Sequence, residues 1–193
     1  MLTFDERTHT YTVDGVPLPS VTEVTRFLSY DYKSDRPWLA EQAARRGTAV
    51  HEACALMDYG ETPEETPEIA GYLTAYRRFL HDYKPDWELI ECPMGSLDLG
   101  YAGTMDRCGV IDGKRCILDI KTGQLHYTAV SAQLTAYAML YKLSPHCSDL
   151  YGGLRVLKLS KDGTYTLRSC SPCPGVLEAC MILHHATERK KRT

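Results

Sequence analysis

The stretch "ILDIKTG", Ile117 to Gly123, is short and apolar enough to be a β-strand, yet it carries two opposite charges, Asp119 and Lys121. Residues two apart on a strand share a face, so Asp119 and Lys121 point the same way as Ile117, while Leu118 and Ile120 point into a core. Removing a carboxylate and an ammonium from water costs on the order of several kcal/mol per ion unless something compensates. For the strand alone, the simplest reading is an edge strand with an exposed pair worth under about 1 kcal/mol. The alternative is a strand whose charged face meets a bound cation.

The neighbouring sequence favours the cation. Asp106, in "YAGTMDRCGV", lies thirteen residues before Asp119, and Asp112-Gly113 between them is a hairpin turn signal. A hairpin turning there folds the two strands together and lets both carboxylates converge on one divalent ion. Oxygen ligands of this kind suit Mg²⁺ or Mn²⁺, which keep several waters and take further ligands from a phosphate. Lys121 beside them is suited to holding an attacking water or stabilising a phosphorus centre in the transition state.

Outside this hairpin the pattern is mixed. "LTFDERTHTYTVDGVPLP" reads as a β-hairpin turning at Asp14-Gly15, and Ser20 with Glu23 three later fits a capping box opening a helix. Helical periodicity runs from about Pro37 to Tyr59, interrupted by Gly47, and again from Thr66-Pro67 to about Tyr83. "WELIECPM", "LGYAGTMDRCGVI" and "RCILDIK" are strand-like. Thr128 to Leu143 reads as a helix, a second hairpin turns at Asp162-Gly163, and a terminal helix starts at Pro174. The expected fold class is α/β, with a central mixed β-sheet flanked by helices and an N-terminal β-hairpin.

The 193 residues suffice for one domain with a substantial core, and no apolar run reaches the roughly 18 to 20 residues of a membrane span. No basic segment followed by an apolar one opens the chain, so a cytoplasmic protein is expected. A net charge of −3 argues mildly against a simple basic nucleic-acid coat and leaves room for a local basic surface. The dense basic run, Arg189 to Arg192, reads as a solvated helix end. Of the eight cysteines, Cys54, Cys92, Cys108, Cys116 and Cys147 are scattered, as reduced thiols would be.

Four sequence pieces now fall in order: "RGTAVHEA" with His51, "GTMD" with Asp106, "DIKTG" with Asp119 and Lys121, and "AQLTAYAML" with Gln133 and Tyr137 four apart on one helical face. Together they resemble the PD-(D/E)XK nuclease superfamily, in particular its RecB-like exonuclease branch, which includes phage and prophage enzymes and the nucleases of CRISPR adaptation. The matched pieces span Arg46 to Tyr137, and "THTYTVDGVPLPSVTEV" also looks like the N-terminus of phage-encoded members. The resemblance implies a restriction-endonuclease-like core in one domain, 1–193. It divides that domain into an N-terminal hairpin and helix (1–35), a catalytic core (36–143) and a C-terminal hairpin and helix (144–193). It also implies that His51, Asp106, Asp119 and the carbonyl of Ile120 ligate a catalytic Mg²⁺ or Mn²⁺, with Lys121 as the catalytic lysine. Gln133 and Tyr137 would be its Q-x-x-x-Y element, orienting the site and touching DNA.

Arg46, Arg107 and Thr122 are candidate phosphate contacts, since such contacts come mainly from groups of these types. Glu91 reads as a solvent-facing strand residue that would add an acid if it turned inward. Glu52 points about 100° away from His51 on a helix and is not expected to be a ligand. Cys170, Cys173, Cys180 and His184 have the spacing C-x2-C-x6-C-x3-H, which can hold zinc. Several RecB-like relatives place an iron–sulfur cluster on three C-terminal cysteines and one far upstream, but no cysteine precedes His51 here. The expectation is that these four bind neither zinc nor a cluster.

The expected function is a metal-dependent DNA nuclease, an exonuclease on linear single- or double-stranded DNA in phage or prophage recombination or DNA processing, with a recombination protein as a further partner. The rivals are a non-catalytic DNA-binding or assembly module that retains the nuclease fold, and a zinc-stapled interaction protein.

Overall fold

In the computed structural model, which describes residues 1–5, 7–8, 10–29 and 37–191, the strands form two sheets. The N-terminal sheet contains β1 (Leu2–Asp5), β2 (Thr10–Val13) and β3 (Val16–Leu18), all antiparallel. The β2–β3 turn falls at Asp14-Gly15, with φ of 49° and 79°. The two-stranded hairpin expected here is corrected to three strands, because Leu2–Asp5 pairs along β2. Phe4 lies opposite Tyr11 and stacks on it with ring centroids 4.4 Å apart, a cross-strand aromatic pair of the kind that holds an added strand in place.

Helix α1 (Val21–Thr25) opens on the expected capping box: Glu23 N–H donates to Ser20 Oγ at 3.1 Å, and Ser20 N–H donates to Glu23 Oε2 at 2.7 Å. Helix α2 (Pro37–Asp58) matches the sequence periodicity. Helix α3 (Ala70–Tyr83) begins later than Thr66-Pro67 suggested. The Thr66 carbonyl instead accepts from Ile69 and Ala70 N–H in a turn that leads into the helix.

The central sheet runs in the order β4 (Asp86–Ser96), β5 (Tyr101–Ile111), β6 (Lys114–Lys121), β7 (Gly153–Leu159) and β8 (Tyr165–Cys170). Its pairs are antiparallel except β6–β7, which is parallel and needs a crossover. Helix α4 (Tyr127–Lys142) supplies it, and α5 (Pro174–Lys191) follows β8. The side chains of the basic run Arg189 to Arg192 lie outside the described residues.

Both faces of the sheet are packed. Ile117 and Val156 meet Val21, Leu134, Tyr141 and Leu177 of α1, α4 and α5. Leu118, Ile120 and Leu157 meet Val50, Leu73, Tyr76 and Phe79 of α2 and α3. β6 is therefore a central strand, and its Asp119–Lys121 pair is not an exposed edge feature. Among the described residues no helix is long and apolar enough to cross a membrane.

Candidate active site

Strand register aligns the acids. Arg107 of β5 pairs with Leu118 of β6, so one step along the strands Asp106 faces Asp119. On the other side Ile90 and Cys92 of β4 pair with Arg107 and Met105, which sets Glu91 opposite Asp106. Three carboxylates thus lie in a row across three neighbouring strands. His51 reaches them from α2: its Nε2–H donates to the Ile120 carbonyl at 3.0 Å, and its Nδ1 lies 3.6 Å from both Glu91 Oε1 and Asp106 Oδ2. Asp106 Oδ2 is fixed by the Ile120 N–H at 2.7 Å, and Lys121 Nζ donates to Asp119 Oδ1 at 2.8 Å.

Ligand atoms of His51, Glu91 and Asp106 all lie within 4.8 Å of one another. Beside them Asp119 Oδ2 is buried without a hydrogen-bond partner. A lone buried carboxylate oxygen is costly, and a bound cation removes that cost. Oxygens plus one imidazole form a donor set that fits Mg²⁺ or Mn²⁺. The electrostatics agree. Burial raises the Asp119 carboxyl to about 6, against the pull of Lys121 and with the help of Asp106. Burial alone would lower His51, but Asp106 and Glu91 overcome it and raise the imidazole to about 9. Burial likewise opposes the Lys121 charge, and Asp119 and Asp106 more than restore it.

Glu91 is the residue that sequence reasoning placed wrongly. It does not face solvent as a plain strand residue but turns toward His51 and Asp106, with φ at 45°. A left-handed non-glycine residue costs on the order of 1 to 3 kcal/mol and persists where surrounding structure enforces it. Arg107 provides that enforcement, since its Nη1 donates to Glu91 Oε1 at 2.8 Å and to the Asp106 carbonyl at 2.7 Å. Its Nε donates to Asp58 Oδ2 at 2.6 Å, and Asp58 also accepts from Tyr76 and Trp87. Arg107 is 0% exposed, which corrects its reading as a phosphate contact. The guanidinium lies under the acid row and is inaccessible to a bound strand.

The acids open into a cleft of about 810 Å³ walled by β2, α2, β4 and α4, with Gln133 and Tyr137 in its lining. Tyr137 packs against β5 at Gly103, where a Cβ would come within 3.1 Å of its hydroxyl, and burial raises its phenol well above the ordinary value. Glu52 also lines the cleft but does not belong to the His51 group. Arg46 lies outside the lining, with Nη1 3.8 Å from Glu68 and its guanidinium 5.8 Å above the Tyr72 ring. Thr122 follows directly on β6, and its carbonyl accepts from Lys158. Among the described residues Cys170, Cys173, Cys180 and His184 do not gather their ligand atoms as the His51 group does. Cys173 N–H instead donates to Thr135 Oγ1 at 3.0 Å, and Cys180 and His184 are buried.

A scan against protein-family models gives no match, and a search of curated proteins gives none either. Among solved structures, the exonuclease LHK-Exo in complex with dAMP is similar to this chain at 13% identity and a TM-score of 0.41, covering 90% of this chain and 89% of that one. The topology of this chain is α/β, with a five-stranded mixed sheet flanked by helices. What the site can do is read from its own geometry.

Proposed function

We propose that the chain is a divalent-metal-dependent DNA nuclease of the RecB-like PD-(D/E)XK type. The observation that carries this reading is the convergence of His51, Glu91 and Asp106, with Asp119 across from Asp106 on the neighbouring strand bearing a buried, unpartnered carboxylate oxygen and the Lys121 ammonium on its other oxygen. His51, Glu91, Asp106, Asp119 and the Ile120 carbonyl would hold the cation, which extends the set expected from sequence by Glu91. When bound, Mg²⁺ or Mn²⁺ supplies positive charge that neutralises the acids and polarises a phosphate.

The remaining work falls to the protein. The Ile120 peptide fixes two of the groups at once, its N–H holding Asp106 and its carbonyl holding His51. Lys121, anchored on Asp119 and 30% exposed, presents a charged donor to the cleft. There it can orient an attacking water and hydrogen-bond phosphate oxygens as charge builds on them. Gln133 and Tyr137 form a wall that orients the strand. Exonucleolytic action on linear ends in phage or prophage DNA processing is the setting we favour, alongside a recombination partner.

The test is incubation of end-labelled linear single- and double-stranded DNA with purified protein in Mg²⁺, Mn²⁺ or EDTA. Cleavage in either metal and none in EDTA is expected, with both Lys121→Ala and Asp119→Asn inactive but folded. Wild-type protein that binds DNA but cuts none of these substrates would sink the proposal.

A further inference from the structure

The cleft that holds the acid row has a second set of lining residues, and they are aromatic. Along α2 the lining positions recur every four residues at Gly47, His51, Ala55 and Tyr59, so one helical face leads away from the candidate metal ligand. Tyr59 directly follows α2 and keeps its turn, its N–H donating to the Ala55 carbonyl at 3.1 Å. It therefore lies about 12 Å along the helix axis from His51. Its side chain is open to solvent, with the residue 63% exposed. The N-terminal sheet brings another ring. The buried Tyr11 places its hydroxyl 2.9 Å from that of Thr104, which shares a strand face with Asp106 two residues on. Phe4 stacks on Tyr11 and, half-buried, lines the same cleft.

Charge does not account for what this part of the cleft would hold. Among the described residues lining it, Glu52, Glu91, Asp106 and Asp119 stand against Lys121 and His51 alone. One divalent ion on the acids would bring that set to neutrality and leave no surplus positive charge for phosphates further along the strand. A strand that continues past the metal must be held in another way. Aromatic rings do this by stacking on nucleobases, whatever the sequence. In a duplex those base faces are covered by neighbouring pairs, so only unpaired bases can use the rings.

We propose that Phe4 and Tyr59 form a base-stacking subsite that selects unpaired nucleotides, in a single strand or a frayed end, beside the candidate metal centre. The inference rests on the nuclease reading and adds a substrate class to it. The phosphate to be cut lies at the acid row, and the bases next to it lie on rings from β1 and from the end of α2. Neither ring belongs to the sequence motifs, and the added strand β1 gains a function from the ring it carries.

The test compares strands with and without bases. A fluorescein-labelled oligothymidylate of about twelve nucleotides is titrated in Ca²⁺ by anisotropy, beside an abasic strand of the same length and a blunt duplex. Wild type should bind the thymidine strand about tenfold or more tighter than the abasic one, and tighter than the duplex. Tyr59→Ala and Phe4→Leu should each weaken thymidine-strand binding by about 5- to 100-fold and leave abasic binding unchanged. The slope of log affinity against log salt should stay as in wild type, because no phosphate contact is lost. Tyr59→Phe keeps the ring and should keep the affinity. A folded Tyr59→Ala with wild-type affinity overturns the inference, as does wild type that holds the abasic strand or the duplex as tightly as the thymidine strand. If Phe4→Leu does not fold, Tyr59→Ala decides alone, since its side chain lies at the surface. Any of these failures leaves the nuclease reading standing on cleavage in Mg²⁺ or Mn²⁺. Wild type that shows the base preference but cuts nothing keeps the stacking subsite and overturns the nuclease reading.

Discussion

Asp119 has one carboxylate oxygen on Lys121 and the other buried with no partner. Its carboxyl is raised from an ordinary 3.8 to about 6, so in metal-free protein it contributes stability that is fully present below pH 3.8 and lost as pH rises through about 6. Asp119→Asn keeps the shape and removes the charge. It should stabilise metal-free protein at pH 8 by about 1 to 3 kcal/mol in urea unfolding, an effect that vanishes near pH 4, while abolishing cleavage. Asp119, Lys121, Asp106 and His51 were all legible in the sequence because each sits in a short motif of fixed order. Glu91 was not, because its inward turn depends on a left-handed backbone and on a register that no local pattern reveals. Arg107 did leave a signal that went unused: directly after Asp106 on a strand, it must point to the opposite face, away from any strand bound over the acids.

At the scale of elements, β5 links the site to the opposite core, presenting Asp106 to the cleft and Arg107 to Asp58 beneath it. Arg107→Leu leaves Asp58, 1% exposed at its side chain, as an uncompensated buried charge, and should cost about 3 to 5 kcal/mol in urea unfolding. Arg107→Lys keeps the charge but loses the fork that grips Glu91 and Asp58 together. It should weaken Mn²⁺ binding by about tenfold, as seen by calorimetry, because outer partners of metal ligands set their orientation. Helix α3 makes its own tight approach at Gly71, where a Cβ would lie 1.8 Å from the Lys161 carbonyl oxygen. Gly71→Ala must push α3 off the β7–β8 turn, and should cost about 1 to 3 kcal/mol without altering the metal site. Most helices and hairpin turns were readable from periodicity and Asp-Gly pairs. The late start of α3 and the added strand β1 were not, since both are decided by contacts that form only in the folded chain.

Across the whole molecule, the five-stranded sheet buries both faces of β6 and sets the Asp119–Lys121 pair at the C-terminal end of that strand, where α2 and α4 flank the cleft. The α/β class and mixed sheet were legible from the order of elements. The strand alone had favoured an exposed edge pair, and the packed sheet overturns that reading. On the proposed metal reading, a proton and a cation compete for this site. His51, raised from 6.5 to about 9, contributes stability present below pH 6.5 and lost as pH rises through about 9, the same direction as Asp119. Metal-free protein should therefore show a melting temperature that falls from pH 5 to 9. Millimolar Mn²⁺ should raise it more at pH 8 than at pH 5.5, a difference readable by scanning fluorimetry. The most direct test of the account is a calorimetric titration of metal-free protein with Mn²⁺ at pH 7.5, on wild type and Asp106→Asn. Saturable binding in wild type that is lost in a folded Asp106→Asn is the predicted result. No binding in wild type, or binding that survives the substitution unchanged, would contradict it.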